Sequence, residues 1–498
     1  MKLSLLLYHK KSYWICLLIT ILTTYGFKLV NYSVHFEDLM HDLYFRQGVK
    51  IKAGRWASTI FAEVIYIPFW HTFLALIVMV IAMALFSGLL KKYSLNSFDD
   101  KALILFSCIA VSYPAISTYF ALIQSSFDIA IHFLLTGIGI FFIGEYVFEK
   151  KQIWNGLVGT IFIGTAISIY EYAIIIYFVF MFLLCLLREC YEIKKKTELK
   201  ILLIMVGKIL IFAIIALSIW KLVGMGFQRL HGYSIVSYSE DMLGYDTSSL
   251  PLMVKAIIGF TIRFPRGYLR ELLHSKDNIG AFIDYTNIFS TVLLFALGIY
   301  LSVKKKKLII FVYSIMTIVS AYGLYLISAE TSLINRQVVT SSIFFAFAVS
   351  LLYTVIHKKI RIIILIVAVW IVFIQTKYMN QVFEMDYLRY QRDISIMQSV
   401  IHDLRGAERE KPLVVAGEIS NIIYDDGVIS HFSTFYWAPF VIQLFFEKHG
   451  YQVDVISIDG DIVNEKARDM NCWPTDGYIM EFDEYIIIKL GEGPRRFN

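Results

Sequence analysis

IWNGLVGTIFIGTAISIYEYAIIIYFVFMFLLCLL, residues 153–187, runs for 35 residues with one carboxylate and no lysine or arginine. A helix crosses a hydrocarbon core about 30 Å thick in about twenty residues. The stretch is therefore too long for one ordinary span, and Tyr170-Glu171-Tyr172 in its middle reads as a tight external hairpin between two. Working outward, apolar stretches of similar length recur near 13–30, 69–90, 102–121, 127–147, 200–223, 284–302, 308–327, 338–356 and 360–378. Together these make eleven spans, so the expected fold class is a polytopic α-helical membrane protein. Composition agrees: 58% of the 498 residues are hydrophobic and 16% aromatic, and the mean hydropathy is +0.64. Only 17% are charged, against roughly 25% in an ordinary soluble domain.

Orientation follows from where lysine and arginine fall. Lys91-Lys92, Lys150-Lys151, Arg188 with Lys194 to Lys196, Lys304 to Lys307, and Lys358-Lys359 with Arg361 lie on alternate loops. All lie on the side of the basic N-terminus, which this places in the cytoplasm. Residues 13–30, after Lys2, Lys10 and Lys11, lack a small-residue cleavage site and read as a retained signal anchor. An odd number of spans puts the C-terminus outside.

The net charge of +6 is unevenly distributed. Residues 379–498 hold 11 basic and 20 acidic side chains, the preceding 378 hold 35 and 20. The expected organisation is a membrane domain over 1–378, with external loops at 31–68 and 224–283, and a small extracytoplasmic α/β domain over 379–498. In that tail, helices are expected at 385–405 and 439–449, strands at 413–417 and 452–458, and a strand or hairpin over 477–490. Large external segments and short cytoplasmic turns place the function outside.

Several classes are excluded. The basic residues are dispersed in short loops, so no nucleic-acid partner is expected. Cys16, Cys108, Cys185, Cys190 and Cys472 form no CxxC pair, so neither a zinc site nor a disulfide framework is indicated. Walker A and GxSxG patterns are absent, and Gly224-Met-Gly226 lacks the third glycine of a dinucleotide loop.

The first external loop concentrates His35, Glu37, Asp38, His41, Asp42, Arg46, Lys50, Lys52 and Arg55. Adjacent carboxylates raise each other's proton affinity, so Glu37-Asp38 suits a general base. The plain alternative is a solvated charged loop. His35, Asp38, His41 and Asp42 have helical ligand spacing, a pattern common by chance, and no metal site is assigned. Gly54-Arg55-Trp56 opens a short apolar segment, Ala57–Ile67, that reads as lying along the interface with Trp56 as its anchor. Arg55 either grips a phosphate or snorkels to the headgroups. Glu171, between Tyr170 and Tyr172, is a site candidate because a carboxylate at membrane depth is costly. Arg263, Arg266 and Arg270 in the second loop, and Arg336 after a short external loop, are external arginines suited to bidentate phosphate binding.

Taken in order, Tyr25-Gly26, His35-Phe-Glu-Asp38, Gly54-Arg55-Trp56, Ile169-Tyr-Glu-Tyr172, Arg336, Cys472-Trp-Pro474 and Glu484-Tyr-Ile-Ile-Ile-Lys489 resemble the bacterial Gtr type II (GtrII-like) glucosyltransferases of O-antigen serotype conversion, within the GT-C superfamily. The resemblance covers most of the chain. At the hairpin that family often has Tyr-Gln, where this chain has Tyr170-Glu171. The resemblance implies an inverting glycosyltransferase of the bacterial inner membrane with its C-terminal domain in the periplasm. The donor it implies is undecaprenyl-phosphate-linked glucose, the acceptor a lipid-linked or surface polysaccharide. A donor-synthesising glycosyltransferase and a flippase are implied partners, beside membrane lipid. No cofactor is expected, and a divalent metal is left open. The expected roles are Asp38 or Glu37 as base, and Arg336, Arg55, Arg263 and Arg266 on the donor phosphate. Glu171, Tyr170, Trp56 and His35 are the expected substrate contacts. Three other classes compete: an O-antigen polymerase, a lipid-linked sugar transporter or flippase, and an assembly protein that recruits through its tail.

Overall fold

The computed structural model describes residues 7, 9–34, 38–39, 48–65, 71–95, 97–149, 152–191, 199–232, 279–322, 339–404, 411–417, 432, 438–458 and 460–491. The chain divides into two compact units. Unit 1 comprises 1–29 with 48–380, and unit 2 comprises 30–47 with 381–498. The first external loop is thus divided between them.

Unit 1 is helical throughout its described residues. Its helices are α1 (Lys11–Val30, the last residue counted in unit 2), α2 (Val49–Lys52), α3 (Trp56–Ile65), α4 (His71–Tyr93), α5 (Asp100–Val111), α6 (Pro114–Ala121) and α7 (Ile123–Glu149). There follow α8 (Ile153–Ile167), α9 (Ala173–Tyr191), α10 (Leu199–Leu230), α11 (Ile279–Lys305), α12 (Leu308–Ala321), α13 (Thr340–Val355) and α14 (Arg361–Asp403), which continues into unit 2. Among the described residues, α1, α4, α7, α9, α10, α11 and α14 are long and apolar enough to cross a membrane. Helices α8, α12 and α13 are apolar but shorter. These ten stand where ten of the eleven expected spans were placed. The eleventh, near 102–121, is not one helix. It breaks into α5 and α6 at Ser112-Tyr113, with Pro114 at the start of α6. Proline has no amide hydrogen and clashes with the preceding turn, so it begins helices rather than continuing them.

Helix α9 is apolar on every side and almost entirely buried, as such a helix must be. It packs against α4, α7, α8, α10, α12 and α13. By contrast, α10 exposes Leu203, Ile211, Ile214 and Leu222, and α14 exposes Ile362, Ile366, Val369 and Trp370. Apolar surface on that scale needs lipid to cover it.

Lys10, Lys92, Arg188, Lys307 and Arg361 lie at one end of unit 1. There Lys10 pairs with Asp100, Lys92 with Glu145, and Lys307 with Glu189 at 3.4 Å. Arg361 lies 3.8 Å from Asp99, whose carboxylate also caps α5 by accepting from the Ala102 amide at 2.9 Å. Arg188 donates to the Phe148 carbonyl at 2.8 Å, where the end of α7 leaves carbonyls without helical partners.

Unit 2 contains a three-stranded sheet of order β1-β3-β2, with β1 at Leu413–Ala416, β2 at Ile479–Glu481 and β3 at Ile486–Lys489. β1 pairs parallel with β3, and β2 pairs antiparallel with it. Alternation along β1 sends Leu413 and Val415 to one face, Val414 and Ala416 to the other. The first face packs on Ile396, Met397 and Val400 of α14 and on Val441, Ile442, Phe445 and Phe446 of α15 (Ala438–Lys448). The second packs on Val463 of α16 (Gly460–Lys466) and on Ala467 and Met470. Both faces are covered, so all of β1 is buried. The strand expected over 452–458 shrinks to a bridge between Val455 and Leu413, made by the Leu413 amide to Asp454 and the Ile456 amide to Leu413. The helix expected at 385–405 is the far part of α14 and does not start afresh.

A buried charge cluster ties residues 33–34 to α14. Arg389 donates to Asp386 and to the Val34 carbonyl, both at 2.7 Å, and to Asp393 at 3.4 Å. Ser33 donates to the second oxygen of Asp386. The spacing i, i+3, i+7 puts all three charges on one face. Arg389→Met leaves two buried carboxylates without their cation and is expected to destabilise unit 2 by about 3–5 kcal/mol. Limited proteolysis of the full chain in detergent measures this as earlier cutting after residue 380. Gly417 closes β1 at φ +74, and a Cβ there would lie 1.9 Å from the Gly491 carbonyl oxygen. Gly417→Ala is expected to cost about 2–4 kcal/mol, from overpacking together with the left-handed backbone, read in the same assay.

Candidate functional site

The segment Val49–Arg55 is built around a glycine. The Gly54 amide donates to the Ile51 carbonyl at 2.9 Å and the Arg55 amide to the Lys50 carbonyl at 2.8 Å, with Gly54 at φ +75. This pair of bonds around a left-handed glycine is the Schellman termination of α2. A Cβ at Gly54 would also meet the Trp220 ring at 3.3 Å. The Arg55 carbonyl accepts from the Thr59 amide at 3.2 Å, so Arg55 is the last residue before α3. Helix α10 clamps the turn: Trp220 Nε1 donates to the Gly54 carbonyl at 3.0 Å, and Gln228 donates to the Lys52 carbonyl at 3.0 Å.

Arg55 faces the α8–α9 turn. Its Nε donates to Glu171 Oε1 at 3.3 Å and its Nη2 to Oε2 at 3.2 Å. The Arg55 side chain is 33% exposed and that of Glu171 36%. The guanidinium also lies 5.2 Å from the centre of the Tyr170 ring. Burial works against the charge on Arg55, but Glu171, Tyr172 and Tyr170 outweigh it and hold its pKa above the ordinary arginine value. Glu171 sits two residues before α9, where a helix N-terminus favours negative charge. Tyr170 and Tyr172 stack at 5.4 Å and 11°, and Tyr119 of α6 donates to the Tyr172 hydroxyl at 2.7 Å. Burial raises the Tyr170 pKa, so that phenol stays neutral.

A second ion pair lies on the same segment. Lys50 Nζ is 3.2 Å from Asp128, and Ser58 donates to the same carboxylate oxygen at 2.6 Å. Lys50 also donates to Ser58 at 2.9 Å. Asp128 belongs to the early turns of α7. His132, one turn further, is fully buried, and among the described residues neither ring nitrogen has a hydrogen-bond partner. It stands edge-on to Tyr170 and Tyr172, with centroids at 6.1 and 6.3 Å. Trp56 stacks on Phe227 of α10 at 5.8 Å, its indole nitrogen buried and without a hydrogen-bond partner among the described residues. Trp56 is partly buried and packs one face on protein. The N-terminal turns of α7, the start of α9 and the C-terminal half of α10 all contribute, so this constellation is at the end of unit 1 opposite the paired basic loops.

Of the expected site residues, the structure brings together Arg55, Glu171, Tyr170 and Trp56. Asp38 is buried, 9% exposed, and belongs to unit 2. Glu37, His35, His41, Asp42, Arg263, Arg266, Arg270 and Arg336 lie outside the described residues. Among the described residues no group of three or more His, Cys, Asp or Glu is placed to hold a metal. Asp128 and His132 are not among the residues singled out from the sequence. Their signal was present: two ionisable residues four apart at the start of an apolar stretch, on one helix face.

No curated protein and no solved structure matches the chain. The family described as Glucosyl transferase GtrII matches residues 26–353, which include all of the constellation above. The chain belongs to the GtrII glucosyl transferase family and is a glycosyltransferase of the helical membrane class.

Proposed function

We propose that the protein moves a sugar, glucose in the first instance, from a polyprenyl-phosphate donor to a lipid-linked or surface polysaccharide such as O-antigen. The reaction takes place on the external face of the inner membrane and inverts the anomeric carbon. The observation that carries this reading is Arg55. A guanidinium one-third exposed, fixed between two helices at the end of the bundle away from the lysine-rich loops, suits a phosphate whose lipid tail stays in the bilayer. Lys50, five residues away, pairs with Asp128 and fixes the segment to α7.

In this reading the acceptor hydroxyl attacks the anomeric carbon as the bond from that carbon to the phosphate oxygen breaks. The acceptor proton passes to a carboxylate of Glu37-Asp38. Negative charge grows on the departing phosphate, where fixed cations stabilise the transition state most. Arg55 takes that role, with Arg336, Arg263 and Arg266 as further proposed contacts. Tyr170, whose ring centre lies 5.2 Å from the Arg55 guanidinium, is a further proposed contact. Trp56 and His35 complete the proposed substrate contacts, and Glu171 bears on the substrate through Arg55. A donor-synthesising enzyme on the cytoplasmic side and a flippase would supply the substrate. The eleven-span topology, with the N-terminus inside and residues 379–498 outside, belongs to the same proposal. No cofactor is proposed, and a divalent metal is left to the chelator test below.

The purified protein in nanodiscs, given polyprenyl-phosphate-glucose and a polysaccharide acceptor, is expected to release polyprenyl phosphate and glucosylated acceptor. Movement of the intact donor across a liposome membrane without transfer would favour a flippase, and a change in polymer length without a side branch would favour a polymerase. A chelator arm tests for metal. Arg55→Ala is expected to lower kcat/KM by about 10²-fold or more, on the scale of losing one transition-state donor. Glu37→Ala with Asp38→Ala is expected to abolish transfer while the protein remains folded. Transfer retained by that double variant removes the acidic pair from the mechanism.

A further inference from the structure

Two ion pairs stand on the Val49–Ser58 segment, and they differ in kind. Lys50–Asp128 is closed: Ser58 bonds both partners, and the side chains are only 21% and 8% exposed. Arg55–Glu171 is open. Each partner is about one-third exposed, and the two bonds, at 3.2 and 3.3 Å, are longer than the 2.7–2.9 Å usual for charge-assisted pairs. The carboxylate occupies the Nε–Nη2 edge of the guanidinium, the same fork that two oxygens of a phosphate would take. An exposed pair of this kind contributes little and is easily exchanged.

The turn is built so that Glu171 can leave alone. On one side Tyr170 carries the Arg55 guanidinium against its ring. On the other, Tyr172 is held by the Tyr119 hydroxyl. The Tyr170 amide donates to the Ala166 carbonyl and the Ala173 amide to the Tyr170 carbonyl, both at 3.1 Å. A rotation of the Glu171 side chain therefore frees Arg55 without moving the backbone. The released carboxylate remains at the α9 N-terminus, where the helix dipole stabilises it.

We infer that Glu171 is a built-in competitor for the lipid phosphate: it fills the Arg55 fork in the empty site, gives way when the phosphate binds, and returns to help expel it. This rests on the reading that Arg55 takes the donor phosphate. It has a chemical use, because the product, a phosphate monoester, carries more negative charge than the sugar-linked diester and would otherwise hold Arg55 more firmly. No bond is made or broken by Glu171, which acts through Arg55 as a positioning residue.

The test measures binding of polyprenyl phosphate to the full protein in nanodiscs, for the wild type, Glu171→Gln, Arg55→Ala and the double variant, with inorganic phosphate as a separate ligand. Glu171→Ala repeats the arm without an amide that could still hydrogen-bond. Removing the competitor is expected to tighten binding by about three- to tenfold and to strengthen product inhibition by the same factor. Neither change is expected once Arg55 is alanine. Unchanged or weaker binding in both Glu171 variants, with binding lost in Arg55→Ala, overturns the competitor and leaves the Arg55 reading standing. Wild-type binding in Arg55→Ala overturns both. Equal tightening with and without Arg55 reduces the effect to removal of one negative charge and overturns the exchange. Inorganic phosphate binding as tightly as the lipid, with the same pattern across variants, overturns the assignment to a lipid phosphate.

Discussion

Charge is tolerated in an apolar helix bundle only where a partner or water meets it, and unit 1 keeps its charges at two ends. One end gathers Lys10, Lys92, Lys307 and Arg361 and matches them to Asp100, Glu145, Glu189 and Asp99. The other end holds Lys50, Arg55, Asp128 and Glu171. Between them, α9 is apolar on all sides and sits in the middle of its neighbours. An unpaired charge there would have neither solvent nor counter-ion. The location of the candidate site follows from this constraint before any chemistry is considered.

Within the site the two cations are held differently. Lys50 belongs to a closed three-residue network, which fixes the segment to α7. Arg55 belongs to an open pair, which leaves its guanidinium accessible. The Schellman turn at Gly54 makes this division possible, because it ends α2 and starts α3 within a few residues and so sets the two side chains toward different helices. The proposed handling of a lipid phosphate draws on both properties, a rigid scaffold and a partly exposed cation.

Much of unit 1 was legible because hydropathy is a local property. Ten apolar stretches became helices at their expected places, and the Tyr170-Glu171-Tyr172 turn fell where a 35-residue run had to fold back. The eleventh failed at Pro114, although that residue is itself a local signal. In unit 2, β1, α15 and β3 followed from periodicity, but residues 452–458 did not form a strand. Their alternation is real, yet only Val455 meets a partner, and a strand needs a neighbour along its length to satisfy its backbone groups. The buried Asp386–Arg389–Asp393 cluster was also visible as spacing but had no meaning until Ser33 and the Val34 carbonyl were found beside it.

Residue order alone determined the membrane class, the approximate spans, the alternation of basic loops and the resemblance that the family match bears out. These depend on composition and on contacts within a turn or two of one helix. Only the tertiary structure decided that Arg55 meets Glu171 across 116 positions of sequence. It alone placed Lys50 on Asp128, Trp56 on Phe227, and His132 beside the tyrosine pair. Such pairings depend on which helix faces pack together, and that is settled by side-chain fit over the whole bundle. Glu171 illustrates the difference: the sequence marked it as a costly carboxylate, and the fold paired it with Arg55.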